Sequence, residues 1–182
     1  MKKLGLVIAF LFCSGILFGQ FNHQWAYDAD NLQYQGTTCR NFATTVDAFG
    51  NTYISGEFQK TIDFDHTAGT TYLIANNIDG FITKYDINGN LRYAHKISGP
   101  STDQVTAITS DADGNIFVGG NFNNSTDFDP SNNEFMVVNS GQCLFFAKYD
   151  STGNFISTWV LEGTLSQAWV ADIKLEIGRA HV

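Results

Sequence analysis

The chain contains little proline, little cysteine and little positive charge. Only 2 of its 182 residues are Pro and 3 are Cys, whereas 16 are Phe and 7 are Tyr. An aromatic-rich chain with so little proline favours strands over helices or disorder. The formal net charge is −8. This acidity argues against a nucleic-acid partner, because phosphate recognition requires a basic surface.

The cysteines and histidines lack the spacing of a metal or catalytic site. Cys39 and Cys143 belong to no CxxC pair, so we interpret them as buried free thiols; a disulfide between them is the alternative in an exported chain. His23, His66 and His95 have no regular spacing to one another or to a Ser or Cys nucleophile. We therefore expect no catalytic residues and no bound cofactor.

The first 19 residues are predicted to be a signal peptide. Lys2 and Lys3 precede an uncharged apolar run from Leu4 to Phe18, which is too short to span a membrane. We expect cleavage after Gly19 and a mature chain without a membrane span. The protein is therefore expected to be exported, either secreted or held at the cell surface.

An internal repeat of 64 residues organises the rest of the chain. The segment from Asp111 to Asn154 matches the segment from Asp47 to Asn90 without a gap. The pattern predicts one repeat region over residues 20–176, with units at about 42–105 and 106–169 and a third unit begun at 170. Residues 177–182, IGRAHV, are interpreted as a translated sequencing adapter, so we expect a fragment of a longer protein.

Each unit contains four strand signals, and DxxGN turns join the first to the second and the third to the fourth. In the second unit the signals are Val105–Ser110, Ile116–Phe122, Leu144–Tyr149 and Phe155–Leu161. Their counterparts are Phe42–Val46, Thr52–Phe58, Phe81–Tyr85 and Leu91–Ile97. A longer loop with a DFD motif and a short apolar piece, Phe135–Val138, separates the second signal from the third. Each unit is therefore predicted to be an all-β, four-stranded antiparallel meander.

Successive four-stranded meanders are typical of β-propellers. The motif order, read as DAFGNTYISGEF, IDFD and FITKYDINGN in the first unit, resembles the SBBP family of bacterial β-propeller repeats from about Trp25 to Leu175. The resemblance implies a partial β-propeller with two blades, a leading strand at Gln24 to Ala26 and the start of a third blade. Members of this family are mostly exported or surface proteins without shared catalytic residues, so no enzymatic activity is implied.

The DFD motifs supply the candidate metal ligands. Paired carboxylates beside asparagine amides offer the oxygen atoms that Ca²⁺ prefers. The carboxylates are Asp63, Asp65, Asp127 and Asp129, and the asparagines are Asn123, Asn124, Asn132 and Asn133. The favoured alternative is a polar loop in which Phe64 or Phe128 packs into the blade while the aspartates face water, because two carboxylates alone bind calcium weakly.

The expected function is that of a non-catalytic scaffold that binds an extracellular protein or glycan. The alternative is an accessory propeller of an exported polysaccharide-degrading enzyme. Tight DxxGN turns leave little room for a pocket, so we expect the ligand site on the opposite face. That face carries the DFD loops and the connections Gly99 to Gln104 and Gly163 to Gln167.

Overall fold

The computed structural model describes residues 38–162 and 168–175, which contain eight β-strands. The first four are β1 (Cys39–Val46), β2 (Thr52–Asp63), β3 (Tyr72–Tyr85) and β4 (Leu91–Ile97). The next four are β5 (Asp103–Ser110), β6 (Ile116–Asp127), β7 (Met136–Tyr149) and β8 (Phe155–Leu161). The predicted signal peptide, the leading strand, the 163–167 connection and the segment 177–182 lie outside the described residues.

The strands form two four-stranded antiparallel sheets in which spatial order follows chain order. Sheet 1 contains β1 to β4, and sheet 2 contains β5 to β8. Each strand of sheet 2 begins and ends 64 residues after its counterpart in sheet 1. The prediction of two four-stranded antiparallel meanders is therefore confirmed for the described residues.

The central hairpin of each sheet is longer than predicted. β6 continues past Phe122 to Asp127, and β7 begins at Met136 instead of Leu144. The apolar piece predicted as a separate element is therefore mostly the first part of β7. The loop that carries the DFD motif is correspondingly short, and β2 and β3 of sheet 1 are extended in the same way.

The sequence pattern stopped early at a polar stretch where the strand pairing is irregular. The pairing register of β6 with β7 shifts between Asn123 and Ser125, and the intervening Asn124 has a φ of 67°. Lys60 has a φ of 62° at the corresponding shift in sheet 1. Three residues of β7 (139–141) lie opposite the single Asn124 of β6. The strand continues beyond this irregularity, but residues 123–126 of β6 are all polar, so no hydrophobic alternation marks it in the sequence.

The four tight turns fold as their sequences predict. In the first, the Asp47 Oδ1 atom accepts hydrogen bonds from the backbone N–H groups of Phe49 and Asn51, each at 2.9 Å. Gly50 has a φ of 82°, a conformation that glycine adopts without the steric cost of a side chain. The other three DxxGN turns share this Asx geometry, with glycine φ values of 84°, 78° and 94°.

The two sheets pack face to face and share the larger of two buried hydrophobic clusters. Tyr53 and Ile82 of sheet 1 belong to the same buried cluster as Phe122 and Phe145 of sheet 2. Each buried side chain of this size stabilises the fold by roughly 1.5–3 kcal/mol. The apolar junction between the sheets is therefore a major source of their association.

Residues 168–175 lie against the outer face of sheet 2. The Thr106 Oγ1 atom donates a hydrogen bond to the Val170 carbonyl at 2.6 Å, and Gln142 donates one to the Ala168 carbonyl at 3.2 Å. Val170 is buried above Gly119, where an added Cβ would lie 2.9 Å from the valine Cγ1 atom. The absence of a side chain at Gly119 thus lets this segment approach the sheet closely.

Candidate functional site

The DFD motifs lie at the loop ends of the two central hairpins, where their first aspartates organise the loops. Asp63 Oδ1 accepts hydrogen bonds from the backbone N–H groups of Asp65, at 3.0 Å, and Thr71, at 2.7 Å. Asp127 Oδ1 accepts the corresponding bonds from Asp129, at 3.0 Å, and Phe135, at 2.9 Å. One oxygen of each of these aspartates is therefore used to close its own loop.

The phenylalanine of each motif is buried. Phe128 is 0% exposed, its ring centroid lies 4.9 Å from that of Phe145, and its carbonyl accepts a hydrogen bond from the Tyr149 hydroxyl at 2.8 Å. Phe64 is 3% exposed, and its carbonyl accepts the same bond from Tyr85 at 2.9 Å. These contacts give the DFD motif a structural role as an anchor of the hairpin end.

Two of the asparagines predicted as calcium ligands have side chains that bond elsewhere. The Asn123 and Asn124 side chains donate to Thr102 O and Ser101 Oγ, at 3.0 and 2.8 Å, and so contact the connection between the sheets. Among the described residues, no group of three or more His, Cys, Asp or Glu side chains is arranged to hold a metal ion. Calcium binding by Asp63, Asp65, Asp127 and Asp129 stays a prediction.

A groove of about 530 Å³ lies on the face of the tight turns, between the two sheets. The expectation that this face leaves little room for a pocket was therefore wrong. Each turn is compact, and the space lies between turns of the two sheets. The groove is lined by residues of both sheets, namely Asp47, Phe49, Asn51, Lys84, Asp86, Arg92, Tyr93, Asp113, Ser151 and Thr152.

Phe49 is the main apolar surface at this groove. Its side chain is 64% exposed, although it is large and hydrophobic. The same position of the other three turns is occupied by Asn88, Asp113 and Thr152, which are all polar. An exposed aromatic ring at a groove that also contains charged side chains provides both a stacking surface and hydrogen-bonding groups.

Two cations and several carboxylates set the electrostatics of the groove. Lys84 is 9% exposed, donates a hydrogen bond to the Ser151 carbonyl at 2.7 Å and lies 5.1 Å from the centroid of the Tyr53 ring. Burial lowers the pKa of Lys84. Burial also acts to raise the pKa of Asp47, but hydrogen bonds from Asn51 and Tyr53 outweigh it and keep that pKa below its usual value. The hydrogen bond from Lys84 to the Ser151 carbonyl ties sheet 1 to a turn of sheet 2.

The described histidines and cysteines form no catalytic set. His95 stacks on Tyr93 with ring centroids 4.4 Å apart, and burial lowers the pKa of its imidazole. His66 packs against Tyr85, at 5.7 Å between centroids. Cys39 and Cys143 are both free thiols, the first half-buried and the second buried. His23 lies outside the described residues.

A second polar cluster, at the opposite edge of the sheet junction, escaped the sequence analysis. Asp79 of β3 and Asp103 of β5 are each 0% exposed. Asp103 accepts hydrogen bonds from Thr126 Oγ1, at 2.7 Å, and from the Gly99 N–H group, at 2.6 Å. Burial raises the pKa of Asp103 to about 7, and burial also raises the pKa of Asp79. In the 64-residue repeat, Asp103 is the counterpart of Cys39 and Asp79 is the counterpart of Cys143.

No family model matches the chain, and no curated protein matches it significantly. The described part of the chain contains no helix that is long and apolar enough to cross a membrane.

Proposed function

We propose that the chain is part of an exported β-propeller that acts as a non-catalytic binding scaffold. In this proposal the two sheets are successive blades, and residues 168–175 begin a third. The scaffold is secreted or displayed at the cell surface and binds a glycan. The observation that carries the proposal is the groove lined by both sheets, with the exposed Phe49 ring beside it.

The packing of residues 168–175 supports the blade arrangement. β5 packs on sheet 1, and Val105 lies so close to Gly80 that an added Cβ would come within 2.9 Å of its Cγ2 atom. Val170 approaches Gly119 of sheet 2 equally closely. Both contacts place the chain that follows a sheet onto the face of that sheet. Continued addition of units in this way is the growth rule of a propeller or an open array.

The groove suits a glycan because it combines an aromatic ring with donors and acceptors. The flat faces of sugars stack on exposed rings, and their hydroxyl groups bond to carboxylates, amides and cationic groups. Phe49 provides the ring, Arg92 provides donors, and Asp86 and Asp113 provide acceptors.

A glycan array probed with the full chain tests this proposal and distinguishes the two faces. We expect binding to at least one class of surface polysaccharide, weakened about tenfold or more by Phe49→Ala, since one lost contact of about 1.4 kcal/mol changes affinity tenfold. Asp127→Ala combined with Asp129→Ala alters the opposite face and is the matched control. Equal binding by wild type and Phe49→Ala, with loss in the double variant, would place the site at the DFD loops. Absence of binding to every glycan would contradict the proposal.

A further inference from the structure

The connection between the sheets brings two carboxylates side by side. Ile78 of β3 and Thr102 of the connection form a parallel β-bridge, and each is followed directly by an aspartate, Asp79 or Asp103. Neighbouring strands lie about 5 Å apart, and residues in register on parallel strands project to the same side. Asp79 of sheet 1 and Asp103 of sheet 2 are therefore direct neighbours across the junction.

The groups around Asp79 and Asp103 would not neutralise two negative charges. Both side chains are fully buried, and Asp79 Oδ1 has no hydrogen-bond partner among the described residues. Asp79 Oδ2 accepts a bond from the Asn76 N–H group at 3.0 Å. The only cationic group among the described residues that forms an ion pair with either carboxylate is Lys96 of β4, whose Nζ lies 3.9 Å from Asp79 Oδ2. The hydroxyl of Thr126 on β6 is neutral.

We propose that these two buried carboxylates share one bound proton at the junction, and that release of this proton as the pH rises weakens the association of the two sheets. Two adjacent carboxylates that are buried from solvent cannot both ionise at low cost. With one proton present, the pair carries a single charge opposite Lys96. After its release, the pair carries two charges, one of which has no counterion. This inference is independent of glycan binding.

The direction of the effect follows from proton linkage. The pKa of Asp103 is raised from 3.8 to about 7 in the folded chain, chiefly by burial and further by the charge of Asp79. Between these values the folded state keeps a proton that the unfolded state releases, so stability falls as pH rises through this window. For Asp103 alone, the unfolding equilibrium constant at pH 8 should be about 30 times that at pH 5.5.

Chemical unfolding of wild type and Asp103→Asn at these two pH values tests the proposal. His95, whose pKa is lowered by burial, contributes a slope of opposite sign, and both proteins retain it. For each protein we therefore divide the unfolding equilibrium constant at pH 8 by that at pH 5.5. This ratio should be about 30 times larger for wild type than for Asp103→Asn. The exposed Asp113→Asn is the matched control and should retain the wild-type ratio. Equal ratios in wild type and Asp103→Asn would overturn the proposal.

A direct titration covers the case in which Asp103→Asn fails to fold. The carboxyl carbon of Asp103 in the wild-type chain can be followed by ¹³C NMR between about pH 3 and pH 9. A midpoint near 7 supports the shared proton. A midpoint at the ordinary aspartate value, about 3.9, would show that both groups are ionised at neutral pH and would refute it.

Discussion

Replacement of Phe128 by alanine should be among the most damaging single changes in sheet 2. The ring is 0% exposed and contacts Phe145 and Phe122, with centroid distances of 4.9 and 5.7 Å. Truncation of a fully buried phenylalanine costs about 3–5 kcal/mol, because the apolar transfer energy is lost and a cavity remains. The free energy of unfolding of a domain is only about 5–15 kcal/mol. Phe128→Ala should therefore remove a large fraction of the stability.

The matched control is Phe135→Ala in the same loop. Phe135 is 46% exposed and contacts mainly Phe155, at 4.8 Å between ring centroids. An exposed aromatic pair contributes about 0.5–1.5 kcal/mol, so this variant should lose far less stability. Urea unfolding followed by far-ultraviolet circular dichroism gives both values. A cost below about 1 kcal/mol for Phe128→Ala, or equal costs for the two variants, would refute the assignment of this phenylalanine as the anchor of the hairpin.

Two further predictions concern the acidic side chains. Burial acts to raise the pKa of Asp150, but hydrogen bonds from Thr152 and Asn154 outweigh it and hold that pKa at about 2. A carboxylate whose pKa is lowered in the folded chain contributes its full stabilisation at pH values above the unfolded pKa of 3.8, and this contribution is lost as the pH falls through about 2. Asp150→Asn should therefore make the unfolding midpoint less sensitive to acid. For the DFD loops, the calcium hypothesis predicts that millimolar Ca²⁺ raises the melting temperature of wild type but not of Asp127→Ala combined with Asp129→Ala. An unchanged melting temperature in wild type would leave the motif with its structural role alone.

The tight turns and the hairpin ends show which features local sequence can predict. A DxxGN turn is decided within five residues, because the aspartate bonds to the backbone beside it and the glycine supplies the required φ. β4 and β8, which follow such turns, begin and end where the pattern indicated. The extension of β6 to Asp127 was missed, since residues 123–126, around the irregular pairing at Asn124, are all polar and carry no hydrophobic alternation.

The groove and the acidic pair could not be predicted, because both arise where two separate sheets meet. Phe49 is recognisable in the sequence only as an unusual turn residue, and its position beside Lys84 and Ser151 follows from the packing of sheet 1 against sheet 2. Asp79 and Asp103 are 24 positions apart and belong to different sheets. Only the bridge between Ile78 and Thr102 makes them neighbours.

The sequence by itself determined the all-β class, the two four-stranded meanders, the 64-residue spacing and the geometry of the turns, since each depends on side-chain alternation or on contacts within a few residues. The tertiary structure decided which polar side chains meet and how deeply they are buried. Distances between separate sheets and the loss of water around a carboxylate depend on how the sheets pack. These quantities set the pKa of Asp103 and create the groove beside Phe49.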